Sequence, residues 1–244
     1  MDYAITIDKL GKTYPGGTHA VSDFSMRVQA GEIFGFLGPN GAGKTTTIKI
    51  LLGLLTASTG KVEVLGGNPA MPKNRCRLGY LPEVANYYDF MNVRELLHYY
   101  GTLCGMSKSR INQRTAEMLE LVDLMPHAKR PLKEYSKGML QRAGIAQALL
   151  HDPELLILDE PTTGLDPLGR MQIRDIMLSM RKAGKTIFFS SHELSEAELI
   201  CDRVGIIKEG RLSWCGPTQE VVGKGEKNLE KIFLEMCQPA EESS

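Results

Sequence analysis

Long hydrophobic runs are missing from this 244-residue chain. None approaches the roughly 18 to 20 consecutive apolar residues that a helix needs to cross a bilayer. The best candidates, Ile48 to Leu55 and Leu155 to Leu158, are interrupted by Lys49 or end in Asp159. Net charge is missing too: 29 basic residues balance 29 acidic ones, with no long basic block. That argues against nucleic acid as the main partner. The five cysteines, Cys76, Cys104, Cys201, Cys215 and Cys237, are odd in number and form no C-x-x-C pair. Neither a disulfide framework nor a zinc site is expected, and a reducing cytoplasm fits. The first residues alternate Tyr3, Ile5 and Ile7 with polar neighbours, as a strand does, so no secretory leader is expected.

What is present is enough apolar material, 42% of residues, for one sizeable core. There is also one very specific motif. Gly38-Pro39-Asn40-Gly41-Ala42-Gly43-Lys44-Thr45-Thr46 matches G-x-x-x-x-G-K-[ST] in full. A triphosphate carries several charges and needs many donors. A glycine-rich turn lets backbone N–H groups crowd around it where a Cβ would collide. A helix starting near Gly43 adds its positive end; Lys44 reaches the β- and γ-phosphates, and the Thr45 hydroxyl is placed for Mg²⁺. The apolar segment Glu32–Leu37 before the motif reads as a buried strand and Thr46–Leu55 after it as a helix, the context the motif requires.

A second apolar strand, Leu155-Leu156-Ile157-Leu158, delivers Asp159 and Glu160 at its carboxyl end, where α/β sheets place their ligands. Asp159 is the expected Mg²⁺ partner, and Glu160 can polarise the water that attacks the γ-phosphorus.

Further segments carry a resemblance. Tyr135-Ser136-Lys137-Gly138-Met139 looks like a variant of the L-S-G-G-Q signature of ABC transporter ATPases. Pro161 to Pro167, containing Asp166, is similar to that family's D-loop, and the strand Thr186–Ser190 ends in Ser191-His192, resembling its switch histidine. Tyr14 stands where the family carries an aromatic that stacks on adenine, or else flanks the turn at Pro15-Gly16-Gly17. The likeness runs from about Tyr3 to Met236. It implies the P-loop ABC ATPase fold: an α/β domain over residues 1–244 with a mixed, largely parallel sheet, an antiparallel β part at the N-terminus and a helical subdomain inserted at about 84–152.

The resemblance also implies a mechanism. Two copies face each other head to tail, and each ATP lies between the phosphate loop of one and the Ser136–Gly138 signature of the other. His192 would hold the γ-phosphate, Asp166 would link the two sites, and loss of the γ-phosphate would open the dimer. The implied partners are separate integral membrane permeases and a second copy of this chain, at the cytoplasmic face of a membrane. Two positions depart from the pattern. Glu83 replaces a glutamine that contacts Mg²⁺, and could itself be a ligand. Lys137 replaces the first signature glycine, as a cation near the γ-phosphate or as a solvated lysine. Both resemble a branch paired with export-type permeases.

The coarse map reads as strands over Met1–Gln29, near Lys61–Leu65 and up to Tyr80, helices from Asn92 to His151, then strand and helix alternating through Gly210. Tyr87, Tyr88, Phe90 and Met91 either line a groove for a permease helix or fill the junction between lobes. Leu229, Ile232, Phe233 and Met236 share one helical face in a segment, Gly225–Ser244, that reads as a docked helix with a polar end and no further domain. The runner-up reading is a soluble ABC-type ATPase acting on DNA or ribosomes, though the chain lacks a second nucleotide motif or a long coiled coil. A GTPase would want an N-K-x-D motif, which is absent.

Overall fold

The computed structural model describes residues 2–222 and Phe233. In chain order its elements are β1 (Tyr3–Thr13), β2 (His19–Gln29), β3 (Ile33–Leu37), α1 (Lys44–Leu51), β4 (Thr59–Val64), α2 (Pro72–Arg75), β5 (Leu78–Leu81), α3 (Val93–Leu103) and α4 (Lys108–Leu121). They continue with α5 (Lys137–Leu149), β6 (Leu155–Asp159), α6 (Pro167–Lys182), β7 (Thr186–Ser191), α7 (Leu194–Ile200), β8 (Arg203–Lys208), β9 (Arg211–Pro217) and α8 (Thr218–Val222).

Two sheets form. In the first, β1 lies between β2 and β4 and is antiparallel to both. The second runs β5-β6-β7-β3-β8-β9, parallel throughout except for β9. Every residue of β3, β6 and β7 is buried, as expected of parallel strands covered on both faces. Period-two alternation then sorts the side chains into two cores. Ile33, Leu37, Leu156, Leu158, Ile187 and Phe189 join the core shared with the helices. Phe34, Phe36, Leu155, Ile157 and Phe188 face the core beneath the antiparallel sheet. There Phe34 and Phe188 stack at 5.9 Å and Phe36 meets Phe188 at 5.5 Å.

The helical part rests on local signals that the sequence supplies. Asn92 caps α3 through its contacts with the Arg94 and Glu95 N–H groups at 3.0 and 3.1 Å, while Glu95 accepts from the Asn92 N–H at 2.9 Å, a complete capping box. Ser107, Ser136 and Asp166 cap α4, α5 and α6, each side-chain oxygen accepting one backbone N–H. The sequence pattern does not announce β9. It is turned back on β8 by Glu209-Gly210, both at positive φ (49° and 76°), the two-residue turn that matches strand twist.

No helix among the described residues is long and apolar enough to cross a membrane. The expected terminal helix over Gly225–Ser244 lies outside the described residues, apart from Phe233, which is helical and packs against the helical core.

Candidate nucleotide site

The carboxyl ends of β3, β6 and β7 lie side by side, and their register decides which polar groups meet. In the parallel pairing of β6 and β7, Asp159 stands opposite Ser190; in that of β3 and β7, Leu37 stands opposite Ser191. Asp159 and Ser190 therefore share a face, and the Ser190 hydroxyl donates to Asp159 Oδ1 at 2.6 Å. The same hydroxyl accepts the Glu160 N–H at 3.0 Å. A slip of one residue would turn Ser190 to the other face and undo both contacts.

From β3 the chain enters the glycine-rich turn. Gly41 and Gly43 adopt φ of +80° and +106°, conformations that favour glycine. A Cβ on Gly43 would stand 2.5 Å from the Ala20 carbonyl oxygen, so the loop is pressed against the first sheet there. A Cβ on Gly41 would meet nothing within 4 Å, so only its positive φ calls for glycine there. Lys44, at the start of α1, curls over the loop and donates to the carbonyls of Gly38 at 2.7 Å and Pro39 at 3.2 Å.

Glu160 follows β6 directly and turns out of it at φ +51°, a left-handed conformation costing about 1–2 kcal/mol in a residue with a Cβ. Such conformations cluster at functional sites. The turn puts its carboxylate beneath the phosphate loop. Oε1 lies 3.1 Å from Lys44 Nζ, with both side chains only 6% exposed. Oε2 accepts from the Thr163 hydroxyl at 2.9 Å and lies 2.8 Å from His192 Nδ1. Oε1 has the ion contact but no hydrogen bond of good geometry.

The two neighbouring carboxyls are driven in opposite directions. Burial pushes Asp159 above its ordinary value, with Glu160's charge adding to the rise and the hydroxyls of Ser190 and Thr45 and the Lys44 charge opposing it. Burial would raise Glu160 as well. The Lys44 charge, the Thr163 hydrogen bond and the His192 charge outweigh it and hold Glu160 below its usual range.

A cleft of about 300 Å³ opens over these groups, lined by Pro39, Asn40, Gly41, Gly43, Lys44, Thr45, Thr46, Glu83 and Glu160. Gly38 and Ala42 support it from behind: Gly38 N–H donates to the Ser191 carbonyl at 3.2 Å, and Ala42 accepts from the Gly210 N–H at 3.0 Å. Tyr14 reaches its edge, its hydroxyl 3.4 Å from that of Thr46, with Lys12 Nζ 5.6 Å from its ring centre. Burial, with the charges of Asp159 and Glu83 adding to it, pushes the Tyr80 hydroxyl up to about 12.

Asp159 and His192 stand just outside the lining, Asp159 bonded to Ser190 and His192 to Glu160, while three further expected site residues lie apart from the cleft. Ser136 caps α5, Asp166 caps α6 through the Gly169 N–H at 2.8 Å, and Gly138 faces Leu165 across 3.9 Å to its notional Cβ. The loops carrying them touch one another, because the Lys137 amine lies over Gly164. Ser190, Thr163 and Arg170 were not singled out by the sequence reading.

The residues fit Mg²⁺ and a nucleoside triphosphate. Gly41, Gly43 and Lys44 line the cleft, Glu160 has a buried oxygen without a hydrogen-bond donor, and Thr45, Asp159 and Glu83 are the hard oxygen ligands that Mg²⁺ takes.

The aromatic cluster divides. Tyr87 and Met91 pack on the helical core, whereas Tyr88 and Phe90 are exposed, Phe90 to 74%. Tyr88 lies 5.7 Å from Phe90 and 6.2 Å from Tyr99, whose ring is 5.4 Å from Tyr100. Beside this row is a groove of about 690 Å³ lined by Tyr80, Tyr87, Tyr100, Leu103 and Met106 among others.

Fold and site together define a P-loop nucleotide-binding protein of the ABC ATPase fold. The ABC transporter family pattern matches residues 21–163, and the chain belongs to this family. It is 50% identical over 209 residues to an uncharacterized ABC transporter ATP-binding protein of Synechocystis, covering 85% of this chain and 59% of that one. The chain thus spans about three fifths of that relative's length. It is 43% identical over 233 residues to the bacitracin transport ATP-binding protein BcrA of Bacillus licheniformis, covering 94% and 75%. A solved ATP-binding subunit of an ABC transporter superposes with a TM-score of 0.85 at 29% identity, over 96% of this chain and all of that one.

Proposed function

We propose that this chain binds and hydrolyses ATP as the energy-supplying subunit of a membrane exporter, acting in a head-to-tail pair of nucleotide-binding subunits. The observation that carries this reading is Glu160: ionised, buried under the phosphate loop, and held by Lys44, Thr163 and His192 at once.

The phosphate loop, Pro39 to Thr46, gives backbone N–H groups and Lys44 to the phosphates. Mg²⁺, held by Thr45 and Asp159 with Glu83 beside them, would neutralise charge on the transferring phosphoryl group. Lys44 leaves Glu160 Oε1 for the phosphates as they enter, which frees that oxygen to accept a proton from the attacking water. His192 gives Nδ1 to Glu160 and has Nε2 left for the γ-phosphate. Tyr14, at the rim, offers its ring to the adenine. Ser136 and Gly138, away from the cleft of their own chain, serve the nucleotide of the second copy, and Asp166 stands at that same junction.

The exposed row Phe90, Tyr88 and Tyr99, with the groove beside it, supports a permease as partner, because aromatic anchors beside an apolar groove suit a short helix. Export is the direction favoured by Glu83 and Lys137, which resemble the export-type branch. One experiment tests the assignment. Tagged Glu160→Gln is purified with ATP from detergent-solubilised cells and its companions are identified by mass spectrometry. A polytopic membrane protein in stoichiometric amount is expected; ribosomes or DNA in its place would contradict the proposal.

A further inference from the structure

Arg170, in the first turn of α6, is not part of the cleft, yet it touches two segments that each contact Glu160, one through Thr163 and the other through His192. Its Nε donates to the Leu165 carbonyl at 3.0 Å, and its Nη1 pairs with the Glu193 carboxylate. Leu165 adjoins Asp166 in the loop that descends from Glu160, and Glu193 adjoins His192. One planar guanidinium therefore fixes both loops, using the fork geometry that distinguishes arginine from lysine.

We infer that Arg170 is a positioning residue for hydrolysis: it locks the Leu165–Asp166 loop to the His192–Glu193 segment, so that His192 and Glu160 keep their register only while that loop is in place. The inference rests on the reading of the cleft as the hydrolytic site. The contacts form a closed circuit. From Glu160 the chain runs through Thr163, whose hydroxyl returns to Glu160 Oε2, and on to Leu165; Arg170 crosses to Glu193; and His192 Nδ1 comes back to the same Oε2. Displacing the Leu165–Asp166 loop pulls on the histidine through Arg170 and on the carboxylate through Thr163. Since Lys137 lies over Gly164, the start of α5 bears on the same loop from the other side. Whatever seats against α5 and this loop is thereby felt at Glu160 with no contact of its own in the cleft.

The next turn of α6 supplies an internal control. Arg174 pairs with Glu196 of α7 at 3.6 Å, joining the same two helices without reaching either loop. If Arg170 merely fastens α6 to α7, the two arginines are equivalent. If it positions the site, they are not.

Arg170→Met, Arg170→Lys and Arg174→Met are compared in the full chain. Steady-state Mg²⁺-ATP turnover is measured, and the imidazole NMR signal of His192 is followed, assigned by its loss in His192→Gln. Arg170→Met and Arg170→Lys are expected to lower kcat by about tenfold or more, with KM for ATP within about twofold, because a displacement near 1 Å can cost about a hundredfold in rate. Both should shift the His192 signal, and Arg174→Met should do neither. Glu193→Ala added to Arg170→Met should cost nothing further, since the two act as one contact. Equal effects of the Arg170 and Arg174 variants, or an unmoved His192 signal in Arg170→Met, would overturn the inference. A wild-type chain without turnover would count against the hydrolytic reading instead, and the His192 signal would still decide the role of Arg170.

Discussion

Lys44 Nζ and Glu160 Oε1 lie 3.1 Å apart, and each side chain is all but removed from solvent. The cation that the phosphate motif supplies and the carboxylate that ends β6 therefore hold each other's charge. A buried pair of this kind gains little over apolar packing, yet losing one member strands the other.

Lys44→Met should consequently destabilise the fold by on the order of 3 kcal/mol at neutral pH, and adding Glu160→Gln should recover much of that loss. The pH dependence has a definite sign. Glu160 is held below its usual value of 4.5, so its contribution is present above that pH and is lost as pH falls through the folded value. The gap between wild type and Lys44→Met in thermal denaturation should be wide at pH 7 and close on acidification below about pH 4.5. A gap that stays constant with pH would contradict the pairing.

Asp159 has the opposite sign. Its carboxyl is raised, chiefly by burial, so folding is favoured below its ordinary value of 3.8 and that advantage is lost as pH rises through the folded value. At neutral pH the ionised group is a burden on the fold. Asp159→Asn, which keeps an oxygen for the Ser190 hydroxyl, should raise Tm at pH 7.5 while abolishing Mg²⁺-dependent nucleotide binding. Calorimetry beside a fluorescent-nucleotide titration checks both halves.

Ser190→Ala removes a donor from Asp159 and an acceptor from the Glu160 N–H. Orphaning those buried groups should cost about 1–3 kcal/mol. The Asp159 carboxyl should rise further, moving the acid limb of Mg²⁺ binding to higher pH. Titrating Mg²⁺ between pH 4 and 8 shows the shift.

The aromatic residues near Glu83 should separate by depth. Tyr87 packs on the helical core, so Tyr87→Ala should lose roughly 2 kcal/mol of stability. Phe90→Ala and Tyr88→Ala should leave Tm within a degree or so. If the exposed row is the permease contact proposed above, both variants should uncouple ATP turnover from transport.

Much of this was legible in the sequence. The phosphate loop is contiguous, and Gly41 and Gly43 sit where φ is positive, so the motif located Gly38 to Thr46 from its spacing. Continuous apolar runs at Ile33–Leu37 and Leu155–Leu158 marked strands buried on both faces. Asp159 and Glu160 followed because a strand's end is a fixed place in such a sheet. Ser190, Thr163 and Arg170 were not found, for three different reasons. Ser190 matters only through the register of β6 against β7, which no local pattern encodes. Thr163 lies in a loop without period, three residues after Glu160, where a left-handed turn folds it back. Arg170 reads as one more charge on an amphipathic helix until the loops at either side are placed. Tyr87 and Tyr88 are likewise indistinguishable by type, and only the packing of α3 and α5 sends one inward.

The central claim is that Glu160 takes the proton from the attacking water in a cleft completed by a second copy. Purified wild type and Glu160→Gln should be compared for ATP turnover, nucleotide affinity and mass by light scattering, with and without Mg²⁺-ATP. The account predicts that Glu160→Gln loses turnover by at least about a hundredfold, still binds ATP, and becomes a stable dimer only with ATP present. Hydrolysis at the wild-type rate, or a monomer under every condition, would contradict it.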